Sequence, residues 1–428
     1  VNRRLPLWVA GVVFVFAWSA PAQEALRNLE AGETATAARG KQMQNPDYTI
    51  KKGDFRMLVT PSLSASYNDN IDLSENDAEE DYILKPAVGI ASSYQLTQRN
   101  LLFLDVNVGY NQYLQRPSRS SLDLNSTSGT GLSLEMGIQD VTLNLHDRVS
   151  YVQDASQDPR ASEGVSDNGT FGTFQNTAGL GADWELNQAR ISAGYDHQNV
   201  IATDSQDDQT THASEMFYFR PSLQVHPQAT VGLETTASFT TYDKSTQSNT
   251  NLTDNAAYTA GGFVELRPGD TFRLTARGGF TTYRFDNNSN TNLATSDQNS
   301  WYAGLSLNHR LSDGITYSLD AGRQMQLGIE SDLSESWYVR PNIRWSVIKD
   351  WDFVTAFFYE HGKQGVGNVT GNFKETYDWY GGELSLSHPL TESFSLAFNY
   401  RLTLRSSDQS DSGYTQNLVG FTLTYHPK

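Results

Sequence analysis

From Phe55 onward the chain alternates apolar and polar side chains with a period of two, in runs much longer than an ordinary globular strand. Phe55, Met57, Val59, Pro61, Leu63, Ala65 and Tyr67 fall on one face. Phe272, Leu274, Ala276, Gly278 and Phe280 alternate with Arg273, Thr275, Arg277 and Gly279. Near the end, Phe394, Leu396, Phe398, Tyr400, Leu402 and Leu404 alternate with Ser395, Ala397, Asn399, Arg401, Thr403 and Arg405. A 180° repeat is a strand with one apolar and one polar face. Runs of about 12–14 residues exceed the globular mode of roughly 5–6.

The links between runs alternate as regularly as the runs themselves. Short turns fall at 97–100, 137–140, 187–190, 226–229, 267–270, 311–314, 348–351 and 388–393. They carry turn chemistry: Pro-Gly-Asp, Ser-Asp-Gly and two His-Pro steps. Between them lie polar segments at 68–81, 116–121, 155–172, 204–212, 244–255, 286–299, 329–335, 363–376 and 408–413. Eight short turns and nine long loops give about 18 strands, with 16 as the alternative, and an even number puts both ends on the short-turn side. Short periplasmic turns, long outer loops and alternating segments of about ten residues are the signature of a transmembrane antiparallel β-barrel. A propeller repeats at a similar spacing, but it lacks the short/long alternation and would need a second apolar face to cover the first.

Composition agrees with a chain wetted on two sides: 38% hydrophobic residues and a mean hydropathy of −0.51, yet 11% aromatics. The aromatics weigh against disorder. With 49 Asp+Glu against 31 Lys+Arg and a net charge of −18, nucleic acid is not expected as a partner. The absence of cysteine excludes disulfides, thiolate metal sites and a Cys nucleophile.

Residues 1–22 have the pattern of a cleaved secretory signal. Arg3 and Arg4 precede an apolar run from Leu7 to Trp18, then Ala20-Pro21-Ala22 offers small residues before Gln23. Residues 23–54 read as a polar periplasmic lead-in, and 55–428 as the barrel. The last strand carries Gly420, Leu423 and Tyr425 in the spacing of an outer-membrane assembly signal, followed by a His426-Pro427-Lys428 tail in place of a terminal aromatic. Its expected reader is the barrel-assembly machinery.

Parity sorts the remaining side chains. Tyr67, Tyr151, Tyr195, Tyr242 and Tyr283 precede long loops, while Trp184, Trp345 and Trp351 lie near short turns; both groups are expected in the interfacial belts. Phe103, Tyr113, Tyr218, Phe263 and Tyr338 have inward parity and are expected to fill the lumen. The candidate pore-lining charges are Arg148, Arg220, Arg273, Arg277, Arg340, Arg344, Arg401, Arg405, Asp105, Glu234, Glu265, Asp320 and Glu383. Arg56, Lys85, Glu135, Asp183 and Glu185 share their parity. A charge facing lipid at mid-bilayer costs about 2–4 kcal/mol for Arg or Lys, which enforces the assignment. The mixed signs fit either a wet channel or a salt-bridged plug. Lys85-Pro86, Arg220-Pro221 and Arg340-Pro341 repeat a basic-Pro step, expected at a rim or a bulge because Pro has no ladder donor.

The opening strand, Pro61-Ser-Leu63-Ser-Ala-Ser-Tyr67-Asn-Asp69-Asn70-Ile71, resembles that of the β-barrel porin families whose genes accompany exopolysaccharide export or exosortase systems. Pro61, Tyr67, Asp69 and Asn70 carry the resemblance. It implies a barrel over roughly 55–428 and a link to polysaccharide export, and it leaves the substrate open.

No GxSxG, HExxH, P-loop or GxGxxG occurs. His146-Asp147 and Glu360-His361 are neighbours that a strand would point to opposite faces. Enzyme activity, cofactors and a metal site are not expected. The acidic loop residues Glu75, Asp77, Glu79, Glu80, Asp81, Asp207 and Asp208 read as solvated, with divalent-cation bridging to lipopolysaccharide as the alternative. The expectation is a passive outer-membrane channel for small hydrophilic solutes or polysaccharide, in contact with lipid and lipopolysaccharide. The alternative is a non-conducting surface barrel whose acidic loops bind glycan, lipopolysaccharide or protein.

Overall fold

The computed structural model describes residues 48–125, 131–154, 170–203, 210–243, 252–286, 296–329, 331–346, 348–366 and 374–427. The expected signal at 1–22, most of the lead-in, Asp207, Asp208 and large parts of several long loops lie outside the described residues.

The strands are β1 (Ile50–Lys52), β2 (Phe55–Asn68), β3 (Asp81–Gln95), β4 (Asn100–Tyr113), β5 (Ser121–Asn125), β6 (Leu132–Ile138) and β7 (Val141–Asp154). They continue as β8 (Thr170–Leu186), β9 (Ala189–Ala202), β10 (His212–His226), β11 (Ala229–Tyr242), β12 (Asn255–Gly269) and β13 (Phe272–Phe285). The remainder are β14 (Gln298–Ser312), β15 (Ile315–Leu327), β16 (Leu333–Trp345), β17 (Asp352–Gln364), β18 (Glu375–Pro389), β19 (Phe394–Ser407) and β20 (Tyr414–Tyr425). Apart from β5 and β6, each pairs antiparallel with its sequence neighbours, and β2 pairs with β20, so the sheet closes. β5 and β6 are two pieces of one stave, since both lie between β4 and β7. Setting aside the short β1, the wall is therefore an 18-strand antiparallel barrel, as the alternation of links predicts. β1 folds back on the start of β2, so strand pairing begins inside the segment expected to be a polar lead-in.

The short turns are tight: Gln139 and Asn187 take left-handed φ of 54° and 52° at two-residue links. Closure removes the sheet edges that would otherwise stay unpaired. Pairing in register then places residues directly opposite one another on the same face. One face is densely apolar and exposed, with Leu233 at 61%, Phe280 at 74% and Phe357 at 56% exposure. The other face carries hydroxyl ladders across adjacent strands, such as Ser214–Thr240 at 2.9 Å and Thr259–Thr281 at 3.0 Å. This second face is the concave one. Tyr302 on β14 reaches Glu234 on β11, three staves away, and donates to its Oε1 at 2.8 Å. Side chains converge like that only inside a closed wall.

The basic-Pro steps differ from expectation. All three lie within strands, at neither rim nor bulge. The β3–β4, β10–β11 and β16–β17 ladders each skip the two residues of the step and resume in the same register. On the other side each Pro stays opposite a partner: Leu63, Ile191 and Leu319 respectively. The missing donor thus interrupts one ladder locally without shifting the wall.

Candidate functional site

The interior is the candidate site, and its charges are arranged as pairs on the wall. Arg190 meets Asp183 at 2.8 Å, Arg340 meets Glu360 at 2.9 Å and Arg344 meets Asp352 at 2.7 Å. Glu265 accepts from Arg273 at 2.6 Å and from Arg267 at 2.5 Å. Asp196 takes His146 at 3.0 Å and Arg148 at 3.8 Å. Arg405 pairs with Glu375 at 2.6 Å, both side chains almost fully buried. Lys85 passes over β4 to bond Asp123 on β5. Asp320 stands opposite Arg340, and Glu383 opposite Arg401, across neighbouring strands. Asp105 lies opposite Ala91 on the same inner parity. Acid and base therefore offset each other locally, and the interior presents pairs rather than a field of one sign. Asp123, Asp196, Asp352, Glu360 and Glu375 were not among the predicted lining residues. Their signal was present, since each shares the inward parity of its basic partner.

A second set of inward residues forms a tight aromatic patch on β10–β14. The Arg220 guanidinium lies 3.9 Å from the centre of the Phe263 ring. Phe263 rests on Gly232, and the Tyr218 ring on Gly194, with no room in either place for a Cβ. Tyr302 packs against Tyr218 and bonds Glu234, which is 1% exposed. Arg277 lies along Gly304. Tyr338 rests on Gly322 with the Arg340 guanidinium 4.4 Å above its ring. Phe103 is fully buried. Most of these contacts run between neighbouring strands on the inner face of the wall.

At the long-loop end two clusters of apolar side chains are buried, and two of their members are tyrosines expected elsewhere. Tyr242 and Tyr283, expected in the interfacial belt, are buried with Leu252, Ala257, Phe285, Met325, Leu327 and Leu333. The physical reason is parity: Glu234 points inward on β11 and Arg277 on β13, so Tyr242 and Tyr283, an even number of residues on, point inward too. Leu73, from the loop after β2, packs with Phe358, Tyr377, Trp379 and Tyr414 in a second cluster. Leu73 takes a left-handed φ of 57°. That conformation costs roughly 1–2 kcal/mol for an L-residue, and full burial of a leucine side chain offsets it with about 1.5–3 kcal/mol.

The residues that carry the family resemblance hold this loop and the seam where the barrel closes. The Asp69 carboxylate accepts from the Asn417 backbone N–H at 2.6 Å and from its Nδ2 at 2.7 Å. Asn70 donates to the carbonyls of Ser74 at 2.7 Å and Thr415 at 3.0 Å, and Gln416 donates to the Asn70 carbonyl at 2.8 Å. Tyr67 donates to Glu80 at 2.5 Å. Pro61 stands just before the β2–β20 ladder, which starts at Ser62. Across the seam, Gly420 faces Ser66 so closely that a Cβ would lie 2.7 Å from Ser66 Cβ and 2.8 Å from the Ala65 carbonyl. Any side chain there would force the first and last strands apart. Leu423 and Tyr425 lie on the exposed outer face, with Tyr425 tilted against Phe394.

The acidic loop is largely engaged by its own surroundings. Asp81 accepts the backbone N–H groups of Tyr82, Leu114, Gln115 and Arg116. Asp72 pairs with Arg119, and Glu79 with Arg116. Further round the rim, the Arg284 guanidinium and the Phe285 N–H hold the Asp297 carboxyl below the usual carboxylate range. Among the described residues no group of three or more acidic or imidazole side chains is placed to hold a metal ion. His361 lies on the outer face, bonded through Nδ1 to Asp378 at 2.9 Å, with Tyr359 donating to the same oxygen at 2.8 Å. His146 faces inward to Asp196, away from its neighbour Asp147. Neither histidine pairs with its sequence neighbour; each meets an acid on an adjacent strand or one beyond.

No protein-family model and no curated protein matches the sequence. Among solved structures, the chain is similar to a BenF-like porin from Pseudomonas fluorescens Pf-5, at 10% identity and a TM-score of 0.49, over 87% of this chain and 99% of that one. It is similar to Pseudomonas aeruginosa OccK2 (OpdF) in complex with glucuronate, at 11% identity and a TM-score of 0.48, over 87% and 98%. Acinetobacter baumannii OccAB3 gives 11% identity and a TM-score of 0.46, over 86% and 98%.

Proposed function

We propose that this chain is an outer-membrane barrel that serves as a passive channel for hydrophilic solutes, in the service of exopolysaccharide export. The observation that carries the channel is the division of one closed wall into an exposed apolar outer face and a charge-paired polar inner face. Barrels of 16–18 strands are wide enough to leave an aqueous channel. The apolar outer face fits lipid, with Trp184, Trp345 and Trp351 exposed near the short turns. The export role rests on the resemblance of the strand from Pro61 to Asn70. In this reading residues 1–22 are removed after export, the barrel-assembly machinery reads the strand ending in Tyr425, and lipopolysaccharide surrounds the long-loop rim.

The alternative, a non-conducting surface barrel, is favoured by one feature: the two apolar clusters at the long-loop end. Planar-bilayer recording of folded protein separates the two. Discrete conductance steps are expected; a membrane that stays silent at every voltage, although the protein shows the heat-modifiable migration of a folded barrel, contradicts the channel.

A further inference from the structure

The same four-residue arrangement stands twice on the outer face of the wall. On β9, Tyr195 and His197 are two residues apart, and Phe217 and Glu215 of β10 lie directly opposite them. On β17, Tyr359 and His361 repeat the spacing, with Tyr380 and Asp378 of β18 opposite. In both places a phenol and an imidazole Nδ1–H donate to one carboxylate. Tyr195 and His197, the latter at 2.9 Å, bond Glu215. Tyr359 at 2.8 Å and His361 at 2.9 Å bond Asp378. The groups stay accessible: the carboxylates are 44% and 45% exposed and each imidazole 37%. Both strand pairs are joined through a long loop, and β17 stands eight staves on from β9 in the wall of 18, nearly on the opposite side.

A third hairpin carries part of the arrangement. Tyr67 of β2 donates to Glu80 and faces Tyr82 of β3, but Asp69 takes the place of the histidine and is tied to Asn417. The two complete copies therefore differ from it by one imidazole each.

A charge on a lipid-facing wall is costly at mid-bilayer and costs little only near an interface. Tyr195 and Phe217, with ring centres 5.1 Å apart, and Tyr359 with Tyr380 are aromatics of the kind that form interfacial girdles. Each acid stands two residues nearer the long loop than these rings, at the height of lipid headgroups. A carboxylate at the centre of a site repels a headgroup phosphate and calls for O–H or N–H donors. With its Nδ1–H given to the carboxylate, the imidazole keeps Nε2 as an acceptor. On β9, Asn199 Nδ2 donates to that nitrogen at 3.0 Å and passes the acceptor role to its own amide oxygen. Two kinds of acceptor beside an aromatic ring match the neighbouring hydroxyls and C–H face of a sugar better than a single ammonium group.

We propose that these two Tyr–His–acid sites bind the sugar headgroup of an outer-leaflet glycolipid, one on each side of the barrel. This rests on the reading of the outer face as lipid-facing.

The test is native mass spectrometry of the folded full chain, released from detergent micelles with one added lipid at a time. The probes are diglucosyl diacylglycerol, phosphatidylethanolamine and phosphatidylglycerol. Wild type is expected to retain up to two copies of the glycolipid in preference to either phospholipid. Glu215→Gln and Asp378→Asn are each expected to weaken retention of one copy by about tenfold, since each removes a charged acceptor. His361→Phe keeps the ring and the acid, removes Nε2, and is expected to lose the same copy as Asp378→Asn. Glu80→Gln, on the hairpin without a histidine, is expected to change nothing. Stronger or equal retention of either phospholipid overturns the inference, as does glycolipid retention that none of these substitutions alters in chains with heat-modifiable migration. Both results leave the barrel standing. A chain that stays soluble without detergent overturns the lipid-facing reading itself.

Discussion

Replacing Glu375 by alanine is expected to destabilise the folded barrel by about 3–5 kcal/mol, the cost of removing one partner from a buried ion pair. The Arg405 side chain is 0% exposed and that of Glu375 2%. The carboxylate also accepts from Ser407 at 2.6 Å and from Gln364 at 2.9 Å, while the guanidinium covers the Tyr377 ring at 4.8 Å. The alanine variant leaves a buried guanidinium with its principal counter-charge gone. The double variant Glu375→Leu/Arg405→Met removes both charges, and replacing a buried pair with apolar groups of similar volume is often neutral or stabilising. Urea unfolding in lipid or detergent, followed by tryptophan fluorescence, measures both. A loss well under 1 kcal/mol in the single variant would mean that water reaches this pair and that the mouth is not packed as described.

The second large effect concerns the outer face. Phe280 lies midway along β13 and is the most exposed large apolar side chain of the wall, at 74%. Phe280→Arg is expected to cost about 2–4 kcal/mol in a bilayer, as a cation facing lipid at mid-depth. Ala91→Arg, on the inner face and opposite Asp105, adds the same charge where a counter-charge and water are in reach. It is expected to be close to neutral. Phe280→Ala separates loss of the ring from gain of the charge. Equal costs for the two arginine variants would contradict the assignment of faces.

Much of this architecture is written in the chain because a barrel obeys one simple rule, alternation, over every strand. That rule places Arg220, Arg340 and Glu234 inside, and the alternation of links yields 18 staves. At Tyr242 and Tyr283 parity prevails over nearness to a loop, and both rings are buried. An aromatic at the end of a strand has the same chemistry in a belt as in a lumen, so residue type alone does not decide between them. The basic-Pro steps differ from expectation for another reason: a missing donor does not require a rim or bulge, because a closed wall absorbs it as a two-residue gap in one ladder. The packing of Met325, Leu327 and Leu333 against Tyr242 and Tyr283 has no trace in the alternation, because these residues share the parity of the exposed Trp337 and Val339. That packing is a tertiary event, accompanied by contacts from Tyr283 to Met325 and from Thr253 to Asp332 that no local pattern encodes. The Asp69-Asn70 pair was legible as a motif and silent about its work, because its partners, Thr415, Gln416 and Asn417, lie at the far end of the chain.

The most direct test of the divided wall is thiol labelling along one strand in lipid vesicles, using single cysteines in a sequence that otherwise has none. On β3, Ala87, Ala91 and Ser93 share the inner parity with Lys85, while Val88 and Ile90 share the outer one. A charged, membrane-impermeant maleimide is expected to label cysteines at 87, 91 and 93 and to leave those at 88 and 90 unmodified. Labelling of both sets alike, or of 88 and 90 alone, would contradict a barrel with a wet interior and a lipid-facing exterior.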